Sequence, residues 1–159
     1  MASPSDDEDA YLEDIWTVYF HEPSDSDWTF KSYSNIATFS TVQEFRSISL
    51  ALESRVHLGM FFLMREHIYP CYDDVENLQG GCFTLKVPMA DTPRYWHQLC
   101  MRVLGETLVS DMSRINGISV SPKRGFCIVK VWVGGGEELG RSALDLPPGH
   151  IGDVLFKLW

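Results

Sequence analysis

The chain has 159 residues, 45% of them apolar and 13% aromatic, which suits a single domain with a substantial core. It has no apolar run of the ~20 residues that a membrane helix needs and no secretory signal, so we expect reduced cysteines and a cytoplasmic or nuclear location. The net charge of −9 argues against general nucleic-acid binding. However, nine of the 22 acids lie in residues 1–30, which contain no Lys or Arg. The net charge is therefore compatible with a local basic site elsewhere in the chain.

The N-terminal part of the chain predicts a tail, a strand and a loop, in that order. Its acidic composition predicts a flexible tail over residues 1–14, followed by a single domain over residues 15–159. The β-rich stretch IWTVYF predicts a first strand over residues 15–20. The Pro-, Ser- and Asp-rich stretch HEPSDSDW predicts a loop, and it places Trp28 where a large ring is suited to recognition.

Three segments have the spacing of amphipathic helices. The first begins at Thr41, which forms a capping box with Glu44 ahead of regularly spaced apolar residues. The second, DTPRYWHQLCMRVLGE, begins at its Asp-Thr-Pro sequence, carries Trp96 on a broad apolar stripe and ends at Gly105. The third is predicted for residues 150–159, where apolar residues recur at helical intervals.

The remaining regular elements are predicted strands. Two strands flank a tight turn, at residues 59–64 and 67–72, and a further strand covers residues 82–87. Residues 117–122 and 126–133 predict a β-hairpin. Because strands outnumber helices and most connections resemble hairpins, we expect an α+β fold in which an antiparallel sheet carries helices on one face.

No familiar catalytic or metal-binding motif is present. The sequence has no G-x-S-x-G elbow, and Cys100 lies on the apolar helix stripe, where a core thiol is expected. His67 and Cys71 have weak spacing for zinc, and the histidines form no H-x-x-x-H pair. No phosphate-binding glycine loop precedes a helix. We therefore expect no metal, no cofactor and no enzymatic activity.

One adjacent ring and acid, Tyr72-Asp73, has a chemistry suited to a flat cationic ligand. An aromatic face stacks on such a ligand with roughly 0.5–2 kcal/mol per cation–π contact, and a carboxylate accepts charge-assisted hydrogen bonds from its edge. Trp28 offers a second ring for a sandwich, and Lys123 and Arg124 at the hairpin tip offer charges for attached phosphates. A flat cationic ring joined to phosphates describes 7-methylguanosine in an mRNA cap.

Several separated segments resemble, in order and spacing, the mRNA cap-binding translation initiation factor 4E family over about residues 15–159. MFFLMREHIYPCYDDVENLQGG, residues 60–81, is similar without gaps to the family's Tyr-Ser-Leu-Phe … Glu-Pro-Met-Trp-Glu-Asp … Gly-Gly segment. FSTVQEF, YWHQLCMRVLGE, VKVW and HIG resemble further family segments. The resemblance implies a curved antiparallel sheet with about three helices on its convex face and a cap slot on its concave side.

The resemblance also implies roles for residues that contact the base. Trp28 corresponds to the family's first stacking Trp, and Tyr72 stands where the second would be. Asp73 stands for the Glu that reads the guanine edge. Trp132 corresponds to the Trp that lies near the N7-methyl group.

The implied phosphate contacts depart from the family pattern. Lys123 stands for a phosphate-binding Arg, with Arg124 beside it, whereas the Arg that normally follows the Gly-Gly turn is Cys82 here. Ile128 falls at the place of another basic residue, and Lys130, two positions further on, is expected to compensate from the same strand face. We therefore expect sparse phosphate contacts.

The resemblance implies a protein partner on the helical face, with altered anchors. The family docks a scaffold initiation factor there through a Trp at the position of Arg46 and Leu at the positions of His97 and Met101, while Val42 is retained. A helix that docks in a groove needs apolar anchors, so we expect a regulatory or scaffold-type partner with an atypical motif.

Three functions are consistent with this sequence. The favoured one is a non-enzymatic protein that binds capped mRNA in translation initiation or its regulation. The alternative is a degenerate family member with weak cap binding that serves mainly as a protein-interaction module, a reading supported by Tyr72, Asp73, Cys82 and Arg46. A small-molecule enzyme is least favoured because the nucleophile, metal and cofactor motifs are missing.

Overall fold

The central element is a seven-stranded antiparallel sheet with the strand order β2-β1-β3-β5-β6-β4-β7. The computed structural model of the chain describes residues 9–159. The strands are β1 Tyr11–His21, β2 Ser34–Thr41, β3 Met60–Arg65, β4 Gly81–Pro88, β5 Ile115–Pro122, β6 Phe126–Val133 and β7 Ile151–Leu158. The helices are α1 Val42–Leu52, α2 Val75–Leu78 and α3 Thr92–Leu104. The α+β class with an antiparallel sheet is confirmed.

Helix α1 begins where the capping box predicts. The Thr41 hydroxyl accepts a hydrogen bond from the Glu44 backbone N–H at 3.2 Å. The Glu44 carboxylate reaches back to accept from the Thr41 hydroxyl and from the Ser40 backbone N–H. The bond from Glu44 satisfies a donor that the first turn of a helix leaves without a partner, and the bonds to its carboxylate fix the turn from β2 into α1.

One face of the sheet, here called the helix face, packs against α1 and α3. Helix α3 contributes Leu99 and Val103, both fully buried, and it ends at Gly105 as predicted. From the sheet, β6 contributes Val129 and Val131, which are also fully buried. The predicted core positions of Trp16 and Trp96 are confirmed. This large, mainly aliphatic cluster is the main hydrophobic core.

The opposite face, here called the slot face, carries a second and smaller cluster rich in aromatic residues. Its buried members are Tyr19, Phe62, Met64, Ile68 and Trp132. They alternate along the strands with the residues of the main core, because successive side chains of a strand point to opposite faces. No helix covers this cluster in the described part of the chain, and a large cavity opens over it.

The predicted C-terminal helix over residues 150–159 is wrong, because this segment forms strand β7. Its register on β4 pairs Gly81 with Leu158 and Phe83 with Phe156. Of the β7 residues only Val154 is buried, so the helical spacing of apolar residues does not mark a core stripe. Pairing with the otherwise open edge of β4 satisfies backbone groups, and this tertiary requirement overrides the local pattern.

Two other predicted boundaries are also corrected. Strand β1 begins at Tyr11 rather than 15, and Asp14 forms an ion pair of 2.8 Å with Arg65, so residues 11–14 belong to the sheet and not to the tail. Residues 1–8 of the predicted tail lie outside the described residues. The predicted strand over 67–72 is wrong, because these residues form a loop between β3 and α2.

Three properties of the described residues bear on the kind of site to expect. No helix in residues 9–159 is long and apolar enough to cross a membrane. Within the same residues, no cluster of three or more His, Cys, Asp or Glu side chains is placed to hold a metal ion. All four cysteines are free thiols.

Candidate ligand slot

A cavity of about 1240 Å³, here called the slot, opens on the slot face between two loops. One loop follows β1 and carries Trp28, and the other follows β3 and carries Tyr72 and Asp73. The slot floor comes from β4, β5 and β6. The structure therefore brings together most of the predicted site residues, namely Trp28, Tyr72, Asp73, Lys123, Lys130 and Trp132.

Trp28 is presented to solvent by a loop whose acidic residues make local turns. The Asp25 carboxylate accepts a hydrogen bond from the Asp27 backbone N–H at 2.9 Å. The Asp27 carboxylate accepts from both the backbone N–H and the hydroxyl of Thr29, at 2.9 and 2.8 Å, and these bonds hold the pKa of that carboxyl below its usual range. Such Asx turns fix the backbone on both sides of Trp28, whose side chain is 52% exposed.

Tyr72 and Asp73 lie in a loop that is held by buried side chains. The Asn77 side chain, fully buried, donates hydrogen bonds to the carbonyls of Tyr69 and Cys71 at 3.0 and 2.8 Å. In turn, Asn116 on β5 donates to the Asn77 side-chain oxygen at 2.9 Å. This buried amide pair ties the loop to the sheet, which keeps the ring and the acid in one place.

The carboxylate of Asp73 is available for a ligand. The neighbouring Asp74 is engaged, because it caps α2 by accepting from Glu76 and also accepts from the Tyr69 backbone N–H. Asp73 is exposed, and no side chain or backbone group in residues 9–159 makes a hydrogen bond or an ion pair with its carboxylate. Tyr72 beside it is 60% exposed. The two residues therefore present an unpaired acid next to an open ring.

The Gly80-Gly81 pair is required by two close backbone approaches. A Cβ atom on Gly80 would lie 1.9 Å from the carbonyl oxygen of Val133, and one on Gly81 would lie 2.2 Å from that of Lys157. Only glycine leaves room for β6 and β7 to lie this close on either side. The pair thus lets β6 and the edge strand β7 lie close to the start of β4.

A row of aromatic rings runs beneath the slot. Successive ring centroids are separated by 4.9 Å from His21 to Tyr33, 5.3 Å from Tyr33 to Phe62 and 6.2 Å from Phe62 to Trp132. Burial raises the pKa of the Tyr33 phenol, with a further contribution from Cys71, so this ring stays neutral. The row supports the slot with polarizable ring surfaces that favour flat ligands.

Trp132 ends this row and is more buried than its predicted role suggests. It is only 5% exposed, and its indole N–H donates to the Ser119 hydroxyl at 2.9 Å. The ring of Trp159 covers it at a centroid distance of 4.6 Å and lines the slot itself. The sequence pattern predicts a helix for the C-terminal segment and therefore gives no signal that Trp159 lies at the slot.

The basic residues are distributed unevenly around the slot. Lys130 lies on its floor, between Thr84 and Ser119 of the flanking strands, and Lys123 lies at the β5–β6 hairpin tip. Arg124 is not among the described residues that line the slot, although the sequence placed it beside Lys123. Lys31, which the sequence reasoning did not select, lines the slot from the Trp28 side.

The predicted partner residues all lie on the other side of the molecule. Val42 and Arg46 are on α1, and His97 and Met101 are on α3. Val42 and Met101 are exposed, while Arg46 and His97 border a cavity of about 500 Å³ between the two helices. His97 is held by a 2.8 Å hydrogen bond between its Nδ1 and the hydroxyl of Ser49. The structure thus collects these four residues on one surface.

Curated proteins that resemble the chain are translation initiation factors. It is 27% identical over 130 residues to eukaryotic translation initiation factor 4E of Eremothecium gossypii, covering 76% of this chain and 61% of that protein. It is 28% identical over 125 residues to the corresponding factor of Saccharomyces cerevisiae, covering 74% and 58%. The chain therefore spans about three fifths of the length of these relatives.

Solved structures of similar fold include complexes with cap compounds. Ascaris suum eIF4E-3 with m2,2,7G cap matches with a TM-score of 0.73 and 22% identity, covering 81% of this chain and 76% of that one. Caenorhabditis elegans eIF4E-3 with the 4E-binding protein Mextli and a cap analog matches with a TM-score of 0.74 and 23% identity, again covering 81% and 76%. At this identity the likeness establishes the fold.

The match to a family model decides the family. The model described as eukaryotic initiation factor 4E matches residues 11–143, which is most of the chain. Its first matched residue, Tyr11, is also the first residue of β1, and the match includes both loops that form the slot. The resemblance seen in the sequence is confirmed, and this chain belongs to the eukaryotic initiation factor 4E family.

Proposed function

We propose that this protein binds the 7-methylguanosine cap of mRNA in the slot and acts in translation initiation or its regulation. The single observation that carries the proposal is the shared cavity of Trp28, Tyr72 and Asp73, two open rings and an unpaired carboxylate. Structural neighbours of this fold have been solved with m7G cap, m2,2,7G cap and m7GpppG.

Recognition of the base follows from its charge and its edge. Methylation at N7 gives guanine a positive charge, which strengthens its stacking on the electron-rich faces of Trp28 and Tyr72. The Asp73 carboxylate accepts the N1–H and exocyclic N–H of the base, and its negative charge complements the positive ring. Unmethylated guanine offers the same edge but lacks the charge. The slot therefore discriminates between the two chiefly through stacking.

Phosphate binding is proposed to be modest. Lys130 and Lys123 line the slot, and Lys31 approaches from the opposite loop. Lys130 is flanked by the hydroxyl-bearing Thr84 and Ser119 on the neighbouring strands. Cys82 supplies no positive charge next to these lysines, so the triphosphate of the cap is held by a few lysines. Added salt therefore weakens the contribution of the phosphates to the affinity.

A regulatory or scaffold-type protein is proposed to bind the surface of Val42, Arg46, His97 and Met101. Structural neighbours have been solved with the 4E-binding protein Mextli and with 4E-BP. In this chain Arg46 replaces an apolar anchor with a charge, which favours a partner segment that carries an acid opposite it. The cap slot and this surface lie on opposite faces of the sheet, so both are free to be occupied at once.

One observation favours the alternative of a weak cap binder that acts mainly through protein contacts. Trp159 covers Trp132, so the slot floor is partly filled by a ring of this chain. Either role is one of binding alone and requires no chemical step. Translation takes place in the cytoplasm, and this is where we propose the protein acts.

The proposed function is tested by calorimetric titration with 7-methyl-GTP and with GTP. We expect clear preference for the methylated nucleotide, and retention on a cap-analogue resin that 7-methyl-GTP competes and GTP does not. Trp28→Ala or Tyr72→Ala should each cost about 1–3 kcal/mol of binding, the scale of one base stacked on one ring. Tyr11→Ala, an exposed ring of β1 outside the slot lining, is the matched control and should bind normally. Equal affinity for both nucleotides would overturn the proposal.

A further inference from the structure

The two loops that carry the rings of the slot also touch each other through a pair of aromatic side chains. Phe30 lies two residues after Trp28 in the first loop, and Tyr69 lies three residues before Tyr72 in the second. The centroids of the Phe30 and Tyr69 rings are 5.9 Å apart, with an interplanar angle of 47°. Both rings line the slot and are more than half exposed. This pair, here called the loop clasp, therefore joins the two walls of the slot at its exposed side.

The Tyr69 end of the clasp is held against the sheet. Its backbone N–H donates a hydrogen bond to the Asp74 carboxylate at 3.0 Å, and its carbonyl oxygen accepts one from the buried Asn77 side chain at 3.0 Å. Its ring lies 6.5 Å from that of Tyr19, a buried residue of β1. The next residue, Pro70, is buried as well. Tyr69 is therefore a fixed point against which the first loop is positioned.

The Phe30 end of the clasp has fewer anchors of its own. All residues from 22 to 31 are exposed, and the carbonyl oxygen of Phe30 accepts a hydrogen bond from the backbone N–H of Tyr33 in the same loop, at 3.2 Å. The Tyr33 phenol also interacts with the Cys71 thiol of the second loop, and both of these side chains are only partly exposed. The clasp adds to this more buried contact one that lies among the exposed residues of the first loop.

We propose that Phe30 and Tyr69 are positioning residues that set the gap between the rings of Trp28 and Tyr72. This inference rests on the proposed function and adds two residues to the same site. The indole of Trp28 lies parallel to the buried ring of His21 at a centroid distance of 4.1 Å, so only its other face is open to a base. A base stacks on both rings only when their facing surfaces are about 7–8 Å apart, which is two contact distances. The clasp holds the loops at one separation before a ligand arrives.

The size of the expected effect follows from the contact itself. Aromatic pairs prefer tilted or offset arrangements at centroid distances of about 4.5–7 Å, and the clasp lies within that range. One such pair shifts the balance between closed and open loops by about three- to tenfold. Where only the closed arrangement binds, the apparent dissociation constant rises as the closed fraction falls. Loss of either ring therefore weakens binding by up to this factor, although neither ring has to touch the ligand.

The test is a double-mutant cycle on the affinity for 7-methyl-GTP, measured by titration calorimetry for wild type, Phe30→Ala, Tyr69→Ala and the double variant. We expect each single variant to bind about three- to tenfold more weakly. The double variant should bind no more weakly than the weaker single variant, because either change alone already opens the clasp. Tyr69→Phe keeps the ring and should bind like wild type. Tyr11→Ala, which removes an exposed ring outside the slot lining, is the control and should also bind like wild type.

The cycle separates a clasp from two rings that act independently. Losses that multiply in the double variant would mean that each ring acts on the ligand by itself, and they would overturn the inference. Wild-type affinity in both single variants would overturn it too. Either result leaves the proposed function standing, which fails instead if wild type does not prefer 7-methyl-GTP over GTP.

A stability measurement accompanies the cycle. Both rings are exposed, so the urea midpoints of the single variants should match that of wild type. If an alanine variant does not fold, Phe30→Leu and Tyr69→Leu remove the rings while keeping bulk, and they carry the same cycle with the same expected coupling.

Discussion

The two faces of one sheet in this protein have opposite characters. On β6, Val129 and Val131 point to the helix face and are fully buried in an aliphatic core. The residues that alternate with them along the strand, Ile128, Lys130 and Trp132, point to the slot face and line an open cavity. Because side chains alternate along a strand, one eight-residue strand supplies both a closed core and the floor of a binding site.

This difference separates the residues that stabilise the fold from the residues that are open to a ligand. The helix face is closed by α1 and α3 and contains Leu99, Val103 and other residues that are fully buried, so its side chains contribute mainly to folding. The slot face presents rings such as Trp28 and polar groups such as Asp73 that are left open. Changes on the first face should lower stability, and changes on the second should lower affinity.

The largest effect is expected on the helix face, from Leu99→Ala. Removing a fully buried leucine leaves a cavity and should lower the free energy of unfolding by about 2–5 kcal/mol. The affinity of the folded protein for 7-methyl-GTP should stay the same. Chemical denaturation and calorimetry measure the two quantities, with Leu50→Ala, an exposed leucine of α1, as the control that changes neither. A matching drop in affinity at full folding would show that the two faces are coupled.

The next largest effect is expected on the slot face, from Asp73→Asn. The change keeps the shape of the side chain but removes the charge, and should cost about 1.5–3 kcal/mol of binding to 7-methyl-GTP. The free energy of unfolding should be nearly unchanged because Asp73 makes no hydrogen bond within the described chain. Glu76→Gln, a nearby exposed acid on α2, is the control and should bind normally. A D73N protein with wild-type affinity would exclude the carboxylate from base recognition.

A smaller effect separates the partner surface from the slot. Arg46→Trp places an aromatic ring where the family resemblance implies a docking anchor, so a Tyr-x-x-x-x-Leu-apolar helical peptide should bind the variant about 2 kcal/mol more tightly than it binds wild type. Affinity for 7-methyl-GTP should not change, since α1 lies on the helix face. Peptide titration by fluorescence polarisation measures the gain. Tight binding by wild type, with no gain from the tryptophan, would mean that Arg46 does not disturb the usual docking.

The smallest effect concerns the lysines at the edge of the slot. Lys130→Ala should reduce the extra affinity of 7-methyl-GTP over 7-methyl-GMP by about 1 kcal/mol, and added salt should reduce it further. Arg124→Ala removes the same charge from a residue that does not line the slot and should have little effect. Titrations of both nucleotides at two salt concentrations provide the comparison. Equal losses in the two variants would point to a general charge effect instead of a phosphate contact.

The sequence predicted those parts of the fold that depend on local signals. The capping box of Thr41 and Glu44 placed the start of α1, and the hairpin pattern of residues 117–133 placed the strand of residues 126–133. The helix predicted for 150–159 was wrong, because its spacing of apolar residues is compatible with either structure and only the free edge of β4 decides between them. Whether these residues form a helix or a strand therefore depends on β4, a strand that is distant in sequence.

The candidate site shows the same difference between local sequence signals and contacts made only on folding. Trp28, Tyr72 and Asp73 were found because their residue types and their match to family segments were visible in the chain, and the structure places all three at the slot. The roles assigned to them remain predictions. Trp159 was not found, since its place at the slot arises only when folding brings its ring onto that of Trp132. Residues that act through a second residue leave little signal in a single sequence.

The row of rings beneath the slot has an optical consequence. The ring centroids of Trp132 and Trp159 are 4.6 Å apart and the ring planes are tilted by 45°, so their transitions couple and should give a circular-dichroism couplet in the indole bands. Trp16 and Trp96 lie in the other core and contribute a constant background. A ligand that displaces or turns Trp159 would change the couplet directly. The protein therefore carries an intrinsic optical reporter at the floor of its slot, and occupancy can be followed without any added dye.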